Sequence, residues 1–283
     1  MISACGDFCI KTITKMANKI YDTGNIPNEM KKSIFIAIPK KAGTTECNMH
    51  RTLSLMSHIT KIILKVVLER IKHKTIPEIA EQQYGFMKEK GTRNAIFILR
   101  MIAERAIEMQ KDVYVCFIDY TKAFDKVKHK DLIDMLQQIG LDGKDLRLIR
   151  NLYWNQTAAV TINNNLTPWQ EIKRGVRQGC PLSPDMFSLY SEIILRDIEG
   201  EEGIKIGGVN INNIRYADDT VLIAETEEKL QRLVDIVNAS SNRKGLQLNT
   251  NKTETMVITK STDIPTSNIT IQNNVLKQVQ SFV

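Results

Sequence analysis

The sequence predicts an α+β fold with a largely antiparallel sheet, on three observations. Val113–Ile118 is a nearly continuous apolar run, β-branched and aromatic, as in a central strand buried on both faces. Ile214 and Tyr216, then Val221 and Ile223, flank Ala217-Asp218-Asp219, as in two half-buried strands joined by a tight turn. The segment order is helix–strand–helix, then β-α-β-β-α-β from residue 113 onward.

Each element has its own local reason. Residues 7–22 place Phe8, Ile10, Ile13, Met16, Ala17 and Ile20 near helical spacing, and Gly24 closes the helix. Ile26-Pro27-Asn28 breaks the chain. Ser33–Ile38 reads as a buried strand stopped by Pro39, and Leu53–Leu55 as a short strand. A helix from Ser57 to Ile71 carries Ile59, Ile62, Ile63, Val66, Val67 and Ile71 as its apolar stripe. Residues 72–93 read as loop. A helix over 94–110 presents Ile96, Leu99, Ile102, Ala103 and Ala106. Further helices are predicted at 130–139 and 144–154, and short strands near 157–162 and 169–172. The loop Gly175–Pro184 leads into a helix of about 185–197, capped from Ser183 with Pro184 in the first turn. After the Asp-Asp hairpin, a helix at 226–242 turns Leu230, Leu233, Val234 and Val237 inward and ends at Gly245. Strands near 255–259 and 275–279 follow.

Composition narrows the class without deciding it. The 283 residues allow one large domain or two modest ones, and the net charge of +7 suits a polyanionic partner. Five cysteines with no CxxC pair predict reduced thiols in a cytosolic or nuclear protein. Cys47 and His50 form a lone CxxH without the further ligands that zinc needs. No apolar run approaches the roughly 20 residues of a membrane span, and the N-terminus has no signal-peptide core.

The chemistry starts from acids. An isolated Asp-Asp is usually a solvated hairpin tip. Here a buried strand ends in Asp119, and in a βαββαβ sheet the first and third strands can be neighbours, which would bring Asp119 to Asp218 and Asp219. Three such carboxylates repel and rise in pKa unless a cation lies between them. Oxygen-only donors favour Mg²⁺ or Mn²⁺. Two ions about 4 Å apart would activate a 3′-hydroxyl and stabilise leaving pyrophosphate.

The residues also carry a family likeness. Ser33–Lys41 (SIFIAIPKK), Arg51–Leu55 (RTLSL) with Lys61, Gln83–Arg93 (QYGFMKEKGTR), Phe117–Val127 (FIDYTKAFDKV), Gly175–Pro184 (GVRQGCPLSP), Tyr216–Asp219 (YADD) and Gly245–Met256 (GLQLNTNKTETM) occur in one order. In that order they resemble the reverse transcriptase domain of LINE-type (non-LTR) retrotransposons. The resemblance implies right-hand polymerase fingers and palm, the palm a βαββαβ antiparallel sheet with helices on one face. It implies a helical lead-in over 1–26 and a reverse transcriptase domain over 27–283. Within that domain, fingers run over about 27–112 with a further fingers/palm segment, and palm over about 113–283.

It also implies roles. Asp119 and Asp218 match the metal-binding carboxylates, Asp219 the third acid, and the Tyr120 carbonyl a metal contact. Tyr216 matches a residue at the primer end. Phe124 matches the aromatic under the incoming sugar, which leaves no room for a 2′-hydroxyl. Backbone N–H groups of Lys122 and Ala123 match positions facing the triphosphate. Gln178 and Gly179 match the loop at the nascent base pair. Lys40, Lys41 and Arg51 match basic fingers positions for phosphates. Lys252 matches a candidate general acid for the leaving pyrophosphate. The partners implied are an RNA template, a DNA primer and dNTPs; the cofactor is Mg²⁺, two ions, with Mn²⁺ a substitute; the location is nucleus and cytoplasm, with no membrane role.

Some positions depart from the family pattern. Thr52 stands where many relatives have Pro, Met87 where a basic residue is usual, and Glu89 where Gly is usual. Residues 275–283 read as the approach to the primer-grip hairpin, so the sequence is expected to lack a thumb and to be a fragment of a longer endonuclease–reverse transcriptase polyprotein or a degraded copy. The expected activity is RNA-directed DNA polymerisation; the alternative is an inactive nucleic-acid-binding remnant.

Overall fold

The computed structural model describes residues 6–141 and 143–282. Cys5 and Val283, both used in the sequence expectations, lie outside them. The chain forms two compact units. The first holds residues up to Glu78 and Phe124–Met186; the second holds Ile79–Ala123 and the chain from Phe187.

In the first unit, helix Gly6–Thr23 ends where Gly24 turns to φ +71° and donates its N–H to the Ile20 carbonyl at 2.8 Å. Of its predicted apolar stripe Ile20 is buried and Ile13, Met16 and Ala17 are half-buried, while Phe8 and Ile10 at its start are exposed. A short helix Asn28–Lys31, not read from the sequence, follows Pro27. Strand Lys32–Pro39 pairs antiparallel with His50–Leu55 and parallel with Thr157–Ile162. The predicted buried strand is buried only at Ser33, half-buried through Ile36 and exposed beyond. Its parallel neighbour stops at the Ile36–Thr161 pair, so the last residues have a strand on one side only.

Helix His58–Thr75 is capped by Ser57, whose Oγ accepts the Thr60 N–H at 3.1 Å. It runs past the predicted end at Ile71. Its inner face is Ile63, Leu64, Val67, Leu68 and Ile71, while Ile59 and Val66 are exposed. The predicted stripe was therefore rotated: β-branched residues alone marked it, and the two leucines that complete the face were passed over. Helices His129–Gln138 and Gly143–Tyr153 bury Leu132, Leu136, Leu148 and Leu152.

In the second unit, the central strand Val113–Ile118 pairs antiparallel with Asp219–Ala224 on one side and Glu254–Ile258 on the other. Strand Asn213–Tyr216 extends the sheet beyond Asp219–Ala224, and Lys277–Gln278 runs parallel to Glu254–Thr255. This sheet is largely antiparallel, as predicted. The short strands Thr157–Ile162 and Gln170–Glu171 pair in the first unit's sheet. Helices lie against both faces of the second unit's sheet. Helix Thr92–Glu108 packs Ile102 and Ala106 with Val113, Val115 and Phe117. The opposite-facing Cys116, Leu222 and Ala224 are also fully buried. Helix Glu227–Arg243, which packs on the Val113–Ile118 and Asp219–Ala224 strands, buries the four apolar residues predicted for it. It is capped by Thr226 and followed by Gly245 at φ +77°. Helix Ser183–Leu195 starts at Ser183 itself, two residues earlier than predicted, so Ser183 is its first residue rather than its cap. The hairpin Ile204–Ile206/Val209–Ile211 was not read from the sequence. Among the described residues no helix is long and apolar enough to cross a membrane.

Candidate active site

The second unit assembles the acids. Asp119 follows the last residue of the central strand, beyond the Ile118–Thr220 pair, so the start of strand Asp219–Ala224 lies alongside it. Two polar residues fix its conformation. Asn249 donates its N–H to the Asp119 carbonyl at 2.8 Å and its Nδ2 to the Asp119 carboxylate at 3.0 Å. The Asp119 N–H donates to Thr253 Oγ1 at 3.3 Å. The same segment closes a turn on itself, the Lys252 N–H donating to the Asn249 carbonyl at 3.0 Å, and leaves Lys252 exposed.

The hairpin turn is held from outside. Tyr216 and Asp219 are its closing pair, and Ala217 sits at φ +58°, unusual for a residue with a Cβ. The fully buried Gln83 supports it: its Oε1 accepts N–H groups from both Ala217 at 2.9 Å and Gly85 at 2.8 Å. Backbone bonds from Tyr84 N–H to the Arg215 carbonyl and from Arg215 N–H to the Gln82 carbonyl extend the contact. A Cβ on Gly85 would stand 2.2 Å from the Ala217 nitrogen, so only glycine fits. Arg215 is buried and paired at 2.8 Å with the equally buried Glu192. Glu192 also accepts the Ala80 N–H at 3.1 Å.

The electrostatics tie the four predicted catalytic residues together. The Asp219 carboxyl is raised above its ordinary value, first by lost hydration, then by the charges of Asp218 and Asp119, while Lys252 lowers it. The residue is exposed overall, so this loss of hydration is confined to the carboxyl's own corner. Tyr120 turns its ring inward. Its hydroxyl lies 3.2 Å from Ser241 Oγ, and burial pushes its pKa up to about 12. A cleft of about 990 Å³ is lined by Asp119, Asp219, Tyr216 and Lys252 together with apolar Leu99 and Met256. Among the described residues, no group of three or more His, Cys, Asp or Glu side chains is arranged to hold a metal ion. Lys122, exposed at φ +51°, and buried Ala123 end this unit's stretch after Asp119.

The first unit carries the remaining predicted residues. Gln178 hands its carbonyl to the Ser54 N–H at 2.8 Å, and its Nε2 donates to Asp125 at 3.3 Å. Gly179 at φ +98° lies where a Cβ would press on Leu53 and the Ser54 carbonyl. The buried Arg177 holds this loop through Gln156 Oε1 at 2.8 Å and the Lys31 carbonyl at 3.0 Å. Phe124 is half-buried and accepts the Val176 N–H through its carbonyl at 2.8 Å. Arg51 pairs opposite Ile38 at the exposed end of the strand pair, with Lys40 and Lys41 exposed just beyond.

Sequence reasoning missed Asn249, Gln83 and Glu192. Asn249 and Gln83 stood inside stretches already singled out, Gly245–Met256 and Gln83–Arg93. Their partners lie far away in sequence, so no local signal named their roles.

Comparisons with known proteins follow the same stretches. Residues 38–277 match the family described as reverse transcriptase (RNA-dependent DNA polymerase). Over 255 residues the chain is 29% identical to the Retrovirus-related Pol polyprotein from type-1 retrotransposable element R2 of Nasonia vitripennis, covering 90% of this chain and 24% of that protein. It is 24% identical to the RNA-directed DNA polymerase from mobile element jockey of Drosophila funebris, covering 94% of this chain and 29% of that protein. The chain thus spans about a quarter of the length of these relatives. Its fold is similar to that of telomerase from Candida tropicalis, solved with a fragment of telomeric RNA, at TM-score 0.62 and 14% identity over 88% of this chain and 44% of that one. The match across the acid-bearing strand, the YADD turn and the segment that ties them is a family match: the chain belongs to the reverse transcriptase family, in the form carried by non-LTR retrotransposons.

Proposed function

We propose that this chain is an RNA-directed DNA polymerase that adds dNTPs to a DNA 3′-hydroxyl on an RNA template. The observation that carries the reading is the placement of Asp119 at the end of the central strand alongside the start of strand Asp219–Ala224, with Asn249 bonded to its carboxylate and Gln83 to the turn. Carboxylates whose charges oppose one another suit a hard divalent cation, which would relieve the repulsion that raises Asp219. When bound, two Mg²⁺ ions supply Lewis-acid activation of the attacking hydroxyl and charge stabilisation of the leaving pyrophosphate; Mn²⁺ is the substitute.

The chain's own residues do the rest. Asp119 and Asp218 would hold the ions, with Asp219 beside them and the Tyr120 carbonyl as a further oxygen. Asn249 and Gln83 keep the two acid-bearing segments in place. Lys252 donates a proton toward the leaving group, and Tyr216 supports the primer end. Backbone N–H groups of Lys122 and Ala123 face the triphosphate, and Phe124 closes the space a 2′-hydroxyl would need. Gln178 and Gly179 meet the nascent base pair, and Lys40, Lys41 and Arg51 bind phosphates. In right-hand terms, the second unit's sheet is the palm core, and the strands around Arg51 are fingers.

Primer extension on an RNA template with dNTPs and Mg²⁺ tests this. Asp218→Ala is expected to lose at least about 100-fold in rate, the scale of removing one preorganised electrostatic element. Mg²⁺ is also expected to raise the Tm of the parent chain and not that of an Asp119→Asn/Asp218→Asn variant. Equal extension by Asp218→Ala, or equal use of rNTPs by the parent, would remove the metal assignment or the Phe124 gate respectively. Primer–template binding without extension would favour the nucleic-acid-binding remnant.

A further inference from the structure

The first unit holds a pocket of about 290 Å³ that none of the proposed polymerase residues lines. That volume is near the lower end for ligand sites, about 300 Å³, and suits a single small group rather than a helix or duplex. Its walls combine cations with an aromatic face. Lys128, Lys130, Lys173 and Arg174 supply four positive charges against the single carboxylate of Glu171. Glu171 lies 3.7 Å from Lys173 with both side chains exposed, so it neutralises little.

The aromatic wall is Trp154. Trp154 is 39% exposed and lines the pocket. Arg150 lies over it with its guanidinium carbon 5.5 Å from the ring centre. Behind it stands the buried His129, whose ring is 5.1 Å from Tyr153 and 6.4 Å from Trp154. The His129 Nε2–H donates to the Gly175 carbonyl at 2.9 Å, and burial lowers the ring's pKa, so it stands neutral as a fixed wall. A backbone bridge between Lys128 and Arg174 joins the two basic segments. The pocket is therefore built before any ligand arrives.

A planar π face beside clustered cations is the chemistry that recognises a nucleotide: the base stacks and the phosphate is neutralised. We propose that this pocket binds one nucleotide unit of a single-stranded nucleic acid, base on Trp154 and phosphate between Lys130, Lys173 and Arg174. The same chemistry would accept a free nucleotide, and the test separates the two. The proposal stands apart from the polymerase assignment, because binding here needs neither the aspartates nor turnover.

The test uses the full chain carrying Trp169→Phe, so that Trp154 is the sole indole. Its emission is titrated with short oligoadenylate, with AMP or dATP, and with inorganic polyphosphate. Quenching by oligoadenylate and not by polyphosphate is the expected result, retained in an Asp218→Ala background. Quenching by the mononucleotides alone assigns the pocket to free nucleotide. Equal quenching by polyphosphate, or none by any probe, overturns the proposal.

Two variants sharpen it. Lys130→Glu/Lys173→Glu, both at exposed positions, is expected to lower the slope of log affinity against log salt by about 0.7, the contribution of the one single-strand phosphate held there. Trp154→Ala, followed by anisotropy of a labelled oligoadenylate, is expected to weaken binding roughly 5- to 150-fold, the range for losing one base stack. Trp154→Phe should restore part of it. A natively folded Trp154→Ala that binds as tightly as the parent overturns the stacking role.

Discussion

Asp219 titrates above its ordinary value of 3.8, because lost hydration and the charges of Asp218 and Asp119 all disfavour its ionised form. The consequence for stability has a definite sign. Below the ordinary value both folded and unfolded chains hold the proton, and nothing is lost. As pH rises through that value the unfolded chain ionises first, so stability falls until the folded carboxyl ionises as well. Asp219→Asn is therefore expected to raise Tm at neutral pH in metal-free buffer, with the gain vanishing in melts run below the ordinary Asp value. An unchanged Tm at neutral pH would mean that solvent screens the three charges from one another. The acids themselves were legible because their residue types and their places at a strand end and a turn are local facts. The side chain that locks Asp119 was not. Asn249 looks like any turn asparagine until the fold sets its amide 3.0 Å from that carboxylate.

At the scale of elements, the hairpin was readable from its alternation, and both strands formed, with Tyr216 and Asp219 as the closing pair. The strap that holds it was not. Gln83 and Gly85 lie in a segment read as loop, yet one buried carbonyl oxygen accepts two N–H groups, and the missing Cβ of Gly85 lets the two backbones meet. Gln83→Leu is expected to leave both donors unpaired, at about 1–3 kcal/mol each. Gly85→Ala must move backbone against backbone and is expected to cost about 1–3 kcal/mol or more. Urea unfolding of both variants measures this, and extension activity should fall further than stability alone accounts for, because the strap meets the turn beside Asp218. Losses under about 0.5 kcal/mol in both would show that the strap is incidental. Helix faces tell a similar story. Glu227–Arg243 was predicted correctly because one apolar stripe dominates it, while His58–Thr75 offers apolar residues on several sides and only packing chose Leu64 and Leu68 over Ile59 and Val66.

At the scale of the whole chain, the described cysteines Cys9, Cys47, Cys116 and Cys180 form no disulfide. Burial pushes the Cys116 thiol up to about 12, and Cys180 is buried as well, whereas Cys47 is exposed. In a thiol-reagent titration of the native chain, Cys47 is expected to react promptly, and Cys116 and Cys180 only on unfolding. Prompt native labelling of Cys116, read by mass spectrometry, would contradict the packing of the central strand.

The sequence by itself determined the family, the strands and helices that bear the acids, and the residue types at the site. All of these follow from order and periodicity along the chain. Long-range packing sets the pairing of Thr157–Ile162 with Lys32–Pro39, the cover on both faces of the acid-bearing sheet, and the hold of Asn249 and Gln83 on the acids. Strand pairing and buried hydrogen bonds join residues distant in sequence. Their partners are chosen by which arrangement buries the apolar faces and satisfies every polar group at once, and no single stretch carries that information.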